Sequence, residues 1–283
     1  AMGFGCNAAG VVGCRIIDSP RERLMAILTN SFVPCNGRFP GMITVLTMFF
    51  AVYASGIGAV LPTFLLTAAV LLGIGATFGA TWLLSKTVLK GTPSAFTLEL
   101  PPYRRPQIGR VIVRSMLDRT AFVLGRAAAV AAPAGLVIWI LANTYVGGSS
   151  LLQWTAGALD PFARAIGLDG VILMAFVFGF PANEIVLPIA IMAYLSAGTL
   201  PELGDAVQLK QVLADSGWTW VTAVNFVLFS MFHWPCSTTL LTVKSETGSA
   251  KWTALAAALP TAAGISACFL FTSAVRLIHA IAG

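Results

Sequence analysis

The sequence predicts an all-α polytopic membrane protein, with about six transmembrane spans and a truncated N-terminal helix. Composition is the first reason: 57% of the 283 residues are hydrophobic and only 10% are charged. A soluble domain carries about 25% charged residues, so this chain lacks the charge to coat a water-facing globule. The second is an uninterrupted run: the 47 residues between Arg38 and Lys86 contain no Asp, Glu, Lys or Arg. Two crossings fit there, at about 20 apolar residues each. Four more long apolar stretches follow, which excludes a single large soluble core. The third is the placement of the net charge of +6. The Lys and Arg flank apolar runs, as the positive-inside rule requires, and give no reason to expect nucleic acid.

In chain order, residues 3–14 read as the end of a truncated helix. Ala1-Met2 resembles a cloning scar, and natural sequence is expected upstream. Residues 15–38 set Arg15, Arg21, Arg23 and Arg38 beside Leu24, Ile27 and Leu28, the pattern of an amphipathic interfacial segment. Spans A (41–58) and B (62–85) form a hairpin around Gly56, Gly58 and Pro62. Residues 86–120 are a basic linker with a Pro-stiffened "LPPYRRP" and an amphipathic helix. Span C covers 121–145, with Arg126 snorkelling near its start. The loop 146–169 holds a surface helix near Trp154 to Ile166. Spans D (170–197), E (217–243) and F (252–275) complete the chain, and the D–E connection carries Glu202, Asp205, Lys210 and Asp215. Residues 1–119 balance to +7 and 120–283 to −1. Residues 15–38 and 86–120 are therefore expected in the cytoplasm. Alternating crossings then put Lys244 and Lys251 outside, against the charge rule.

The chemistry-bearing residues sit at helix breakers. "GFGCN", "FGFPANEIVLP" and "FHWPCSTT" each interrupt an apolar segment. Proline in a helix removes a hydrogen bond and leaves a carbonyl free; Pro181 frees Val177, Pro188 frees Glu184 and Pro235 frees Met231. Such groups are tolerated at membrane depth where they line a cavity or are buried in protein. Ordinary proline kinks explain one such break, but three beside metal-capable side chains point to a site. Glu184 is the only carboxylate inside a span, and an intramembrane carboxylate is a functional candidate by default. His233 and Cys236 are three residues apart, one helical face. Imidazole with thiolate suits a borderline transition metal better than Mg²⁺ or Ca²⁺. Thr238 and Thr239 follow; Cys35 at the membrane edge is a weaker candidate. Cys14 and Cys268 read as packing residues, and all five cysteines as free thiols. "GFGCNAAGVVGCR" and "HWPCSTTLLTVK" share a design of breaker, Cys, small polar residue and apolar run to a basic end. The expected topology puts those ends on opposite faces, as inverted repeats require.

These motifs, with "GFGCNAAGVVGCRIIDSPRERL", "FVPCNGRFP", "LELPPYRRP", "GFPANEIVLPI" and "FHWPCSTTLLTVKSETGSAKWTAL", closely resemble the ferrous iron transport protein B family, over Gly3 to about Pro260. The last two look most like its clostridial-type members. The resemblance implies a multi-pass protein of the bacterial cytoplasmic (inner) membrane that imports Fe²⁺ through two gate regions related by inverted repeat. Carried over by position, Cys6 and Asn7 match the first gate, Asn183 and Glu184 open the second, and His233, Pro235 and Cys236 close it; from their chemistry Cys6, Glu184, His233 and Cys236 are the expected metal contacts. Asn7, Cys35, Asn183, Thr238 and Thr239 support them, and Pro181, Pro188 and Pro235 form the breaks. The expected organisation is 1–40 as a remnant of the first gate, 41–85 as a hairpin and 86–120 as the basic linker. Residues 121–169 then give a span and external loop, 170–251 the second gate and 252–283 the last span. The family's GTP-binding domain, where its GTPase activity resides, is absent from this sequence. GTP is thus expected only through that domain, and this chain is not expected to be an enzyme. Partners implied are Fe²⁺, the lipid bilayer, the GTP-binding domain and small accessory proteins of the iron transport system, and a homo-oligomer is admitted. Competing readings are a nucleoside or organic-solute carrier, which wants stacking aromatics and amides at the breaks, and an intramembrane Cys-His enzyme in which His233 activates Cys236.

Overall fold

The computed structural model describes residues 2–50, 60–91, 109, 113, 122–195 and 206–282. The expected amphipathic helix of the basic linker, and Glu202 and Asp205, lie outside the described residues. The helices are α1 (Met2–Gly5), α2 (Asn7–Gly13), α3 (Pro20–Thr29), α4 (Phe39–Phe50), α5 (Val60–Lys86), α6 (Phe122–Asn143) and α7 (Leu151–Ala165). They continue with α8 (Gly170–Phe178), α9 (Val186–Tyr194), α10 (Ala206–Asp215), α11 (Trp220–Phe232), α12 (Ser237–Thr247) and α13 (Ala250–Ala282). A two-residue hairpin pairs Tyr145–Val146 with Ser149–Ser150.

Local chemistry sets the helix ends. Ser19 caps α3 by accepting from the Glu22 N–H, with Pro20 at the first position. Ser150 and Gln153 form a capping box on α7, and Thr219 and Thr222 form one on α11. Gly248, left-handed at φ 64°, closes α12.

Three helical stretches among the described residues are long and apolar enough to cross a bilayer, or four if the bent pair α7 and α8 counts as one. They are α5, α11 with α12, and α13. The 27 residues of α5 span about 40 Å, more than a bilayer's hydrocarbon thickness of about 30 Å. The central stretch is α11–α12, 72% buried against 17% for α5 and 22% for α13. The outer helices show Phe64, Leu71, Phe78, Phe269, Leu270 and Leu277 to the surroundings. So much exposed apolar surface fits lipid rather than water.

Among the described residues the expected span D is replaced by broken helices, and residues 51–58 of span A lie outside the described residues. At one end of the bundle Arg21 Nε donates to the Leu89 carbonyl (2.5 Å), and Arg15 pairs with Glu246 (2.6 and 2.8 Å). At the other end Phe49 stacks on Trp218 at 6.0 Å. Between these ends α3 and α4 make one interrupted passage, broken by a 3-10 turn at Asn30–Phe32 and the loop through Arg38. Gly73 of α5 packs against this loop so closely that a Cβ there would meet the Phe32 carbonyl at 2.9 Å.

Three expectations change. Span D is not a crossing. Asp169 caps the start of α8 and accepts a hydrogen bond from Tyr194 at the end of α9, so the two helices form a hairpin that enters and leaves at the same end. The turn at Gly179–Ile185 is its tip. With D turning back, α11–α12 runs from the Trp218 end to the Arg15 end. Lys244 and Lys251 thus join Arg15, Arg21 and Arg23, and the charge-rule violation disappears. The last helix then runs the other way from the expectation: Thr272 bonds Asn225, and Arg276 donates to the Arg164 carbonyl, both at the far end. Finally, α2 and α12 lie parallel, since Cys6 and Cys236 are near one another and Arg15 and Glu246 meet. Their sequence echo is a shared local design, and these two segments are not antipodal as an inversion would demand.

Candidate functional site

The tip of the α8–α9 hairpin, the α11–α12 break and the loop 33–38 meet midway between the bundle's two ends. The helix leaves regular geometry at Gly179–Ala182 and again at His233–Cys236, where the prolines anticipate it. The freed backbone groups find partners inside protein. The Ser237 N–H donates to the Phe180 carbonyl (2.9 Å) and its hydroxyl to that of Pro181 (3.5 Å). The Met231 carbonyl, freed by Pro235, accepts from Arg38 Nη1 (2.7 Å). Pro188 falls in the first turn of α9, where its missing N–H costs little.

His233, 1% exposed, is the best-defined side chain here. Its Nδ1 lies 3.1 Å from the Phe229 carbonyl and 3.0 Å from that of Ser230. Carbonyls only accept, so the proton sits on Nδ1 and Nε2 carries a lone pair. Nε2 lies 3.2 Å from Asn183 Oδ1, and the same amide's nitrogen lies 3.9 Å from Cys35 Sγ. An imidazole anchored through one nitrogen to backbone and offering the other is the usual orientation of a metal-ligating histidine. Hairpin tip, helix break and loop each contribute one donor residue.

Cys236 is the N-cap of α12, with Sγ 3.2 Å from Thr239 Oγ1. Cys6 is likewise the N-cap of α2. Cys6 and Cys35 are both within electrostatic range of Cys236. Asn7, 2% exposed, donates to the carbonyls of Val33 (3.3 Å) and Gly3 (3.0 Å) when its amide is oriented donor to acceptor, and ties α2 to the loop. Thr238 and Thr239 are buried in the first turn of α12. Glu184, at the hairpin tip, lies over Gly37: a Cβ there would sit 3.2 Å from its Oε1. Glu184 is exposed and forms no three-residue metal-capable group with His233 and Cys236. Among the described residues no three His, Cys, Asp or Glu come together to hold one metal ion. The predicted residues therefore occupy one region without forming one coordination sphere.

Arg38 was read as interfacial. It is 3% exposed and donates to four carbonyls: Ser31 (3.2 Å) and Met231 (2.7 Å) from Nη1, His233 (3.0 Å) and Trp234 (3.3 Å) from Nη2. Its signal in the sequence was its place beside Cys35 at the edge of a charge-free run, between Gly37 and Pro40. Counting it with the other arginines hid that.

Residues 124–250 match a family described as "Nucleoside recognition", and residues 66–119 match "Ferrous iron transport protein B C terminus". Curated relatives named "Fe(2+) transporter FeoB" include those of Staphylococcus aureus strain COL (29% identical over 282 residues), Methanocaldococcus jannaschii (27% over 265) and Synechocystis (28% over 263). The alignments cover 95%, 89% and 92% of this chain but 39%, 37% and 40% of those proteins. The chain thus spans about two fifths of the length of the relatives it matches. No solved structure matches it.

Proposed function

We propose that the chain carries an FeoB-family membrane core and forms part of an Fe²⁺ import path across the bacterial cytoplasmic membrane. The observation that carries this reading is His233, with Nδ1 fixed by two backbone carbonyls and the Nε2 lone pair aimed at Asn183 beside Cys35. Imidazole, thiol and amide oxygen suit a borderline divalent ion. Because no three His, Cys, Asp or Glu side chains converge among the described residues, the ion passes between successive sites of modest affinity, as an ion that must also leave requires. One site is Cys35, Asn183 and His233; the next is Cys236 with Thr239 and Cys6; Glu184 attracts the cation at the hairpin tip. The chain works by permeation rather than catalysis. GTP acts through a separate GTP-binding domain, and small accessory proteins or a homo-oligomer complete the assembly.

The match to a nucleoside-recognition family favours a second reading, a nucleoside carrier. A base needs open aromatic faces. Phe176 and Phe229, whose rings lie 4.8 and 6.0 Å from that of His233, are each 1% exposed and packed in the core. Iron is therefore preferred.

The test is ⁵⁵Fe²⁺ uptake by the intact transporter under reducing conditions, with His233→Ala, Cys236→Ser and Glu184→Gln made singly and membrane insertion confirmed. Uptake should fall at least about tenfold for His233→Ala, the scale of lost metal-site partners. Wild-type rates in all three variants would defeat the proposed path. Loss in the Cys236 variant alone would favour thiol chemistry over a shared route.

A further inference from the structure

A buried guanidinium needs an explanation, because desolvating a charge is costly unless it is paired. Neither Arg15–Glu246 nor Arg164–Asp160 involves Arg38, and among the described residues no carboxylate pairs with it. Its Nε, though buried, has no partner. What holds Arg38 is a cluster of four carbonyl oxygens, three of them from Met231, His233 and Trp234 at the C-terminal end of α11. Helix C-termini carry partial negative charge, and unwound carbonyls at broken intramembrane helices form sites for hard cations. Without the guanidinium, these oxygens would make such a site, in the same break that presents His233 and Cys236.

We propose that Arg38 is a tethered cation that fills this carbonyl cluster and so denies it to alkali and alkaline-earth ions. Two consequences follow from the geometry. The guanidinium spends both terminal nitrogens on all four oxygens, leaving no hard-donor cavity at the break. At the break an incoming ion then meets thiols and an imidazole beside single oxygens from Asn183, Thr239 and Glu184, a mixed set that favours a borderline transition metal over K⁺ or Ca²⁺. Arg38 is thus a specificity-determining residue that acts by occupancy and contacts no permeating ion. Only this consequence for selectivity rests on the iron-path reading; the occupancy itself does not.

The experiment therefore measures cation binding without iron. The intact protein in detergent is melted in KCl and in choline chloride of equal ionic strength, for wild type, Arg38→Met and Arg38→Lys. The expected result is a saturable rise in Tm with K⁺ for Arg38→Met, and no K⁺ dependence for wild type or Arg38→Lys, whose ammonium replaces the charge. A folded Arg38→Met protein with no K⁺-dependent shift would overturn the proposal, because a purely structural clamp predicts destabilisation that no ion reverses. Should Arg38→Met not fold, Arg38→Lys decides: a folded, K⁺-insensitive protein supports occupancy by charge, and a misfolded or K⁺-sensitive one refutes it. Wild-type iron uptake in the His233, Cys236 and Glu184 variants beside a K⁺ shift in Arg38→Met would sink the iron path and leave the plug standing.

Discussion

At the scale of single residues, the site depends on which group satisfies which. The Nδ1 of His233 is committed to backbone, so its Nε2 lone pair faces a second acceptor, Asn183 Oδ1, at 3.2 Å, an arrangement that a cation shared by the two would satisfy. Asn183→Leu removes the oxygen that converges with Nε2, and the side chain nearest Cys35 turns apolar. We expect Asn183→Leu to leave the Tm little changed in metal-free detergent solution, because no hydrogen bond to His233 is lost. Fe²⁺ under reducing conditions should stabilise the wild type, and should do so much less for this variant. Equal stabilisation of the variant and the wild type by Fe²⁺ would show that the amide does not contact the ion. The same reasoning explains why Arg38 escaped a reading by composition. A hydropathy profile treats every arginine as interfacial, whereas four carbonyls can hold one in the middle of a bundle.

At the scale of elements, the α8–α9 hairpin is the unit that brings Asn183 and Glu184 to mid-depth. It is short, nine residues a side, and its two ends are joined by the Tyr194 hydroxyl, which donates to Asp169 and accepts from Trp218 Nε1 (2.8 Å). Asp169 also caps α8 by accepting from the Ile172 N–H (2.7 Å). Tyr194→Phe should cost about 1.5–3 kcal/mol, the range for a hydrogen bond to a charged group. Asp169→Ala should cost more, since it removes the cap as well. Thermal melts of the two variants give the order; equal stability of both with wild type would mean that tip packing alone holds the hairpin. The breaks themselves were legible, because proline chemistry is local. That the first break closes on a hairpin was not, because hydropathy over 170–197 is the same whether the chain crosses or turns back.

At the scale of the whole molecule, charge and direction agree once that hairpin is counted as a return. The Arg15–Glu246 pair fixes the ends of α2 and α12 together, and Arg21 fixes the end of α5 beside them. Single cysteines introduced at Lys90 and at Ser249, in a background lacking the native thiols, should both react from the cytoplasmic side of intact vesicles. One at Ile281 should react only from the opposite side. Labelling of positions 90 and 249 from different sides would contradict the arrangement. In this orientation the basic residues of 15–23, 86–90 and 244–251 share the cytoplasmic end, as the positive-inside rule asks of short loops.

The sequence by itself determined that this is an α-helical membrane protein, where its helices break, and which side chains at the breaks could meet a borderline metal. Those properties follow from composition and from chemistry within a few residues: apolar length, proline geometry and the donor atoms of Cys, His and Glu. Tertiary structure alone decided that α8 and α9 turn back, that α2 and α12 run parallel, and that Asn183 rather than Glu184 stands against His233, with Cys35 on the other side of its amide. It also decided that Arg38 is held by carbonyls up to 196 residues away. Each of these is a pairing between distant segments, and a pairing is set by how packed helices share their unsatisfied backbone groups in a medium without water. No local pattern encodes which distant carbonyl a buried donor will find.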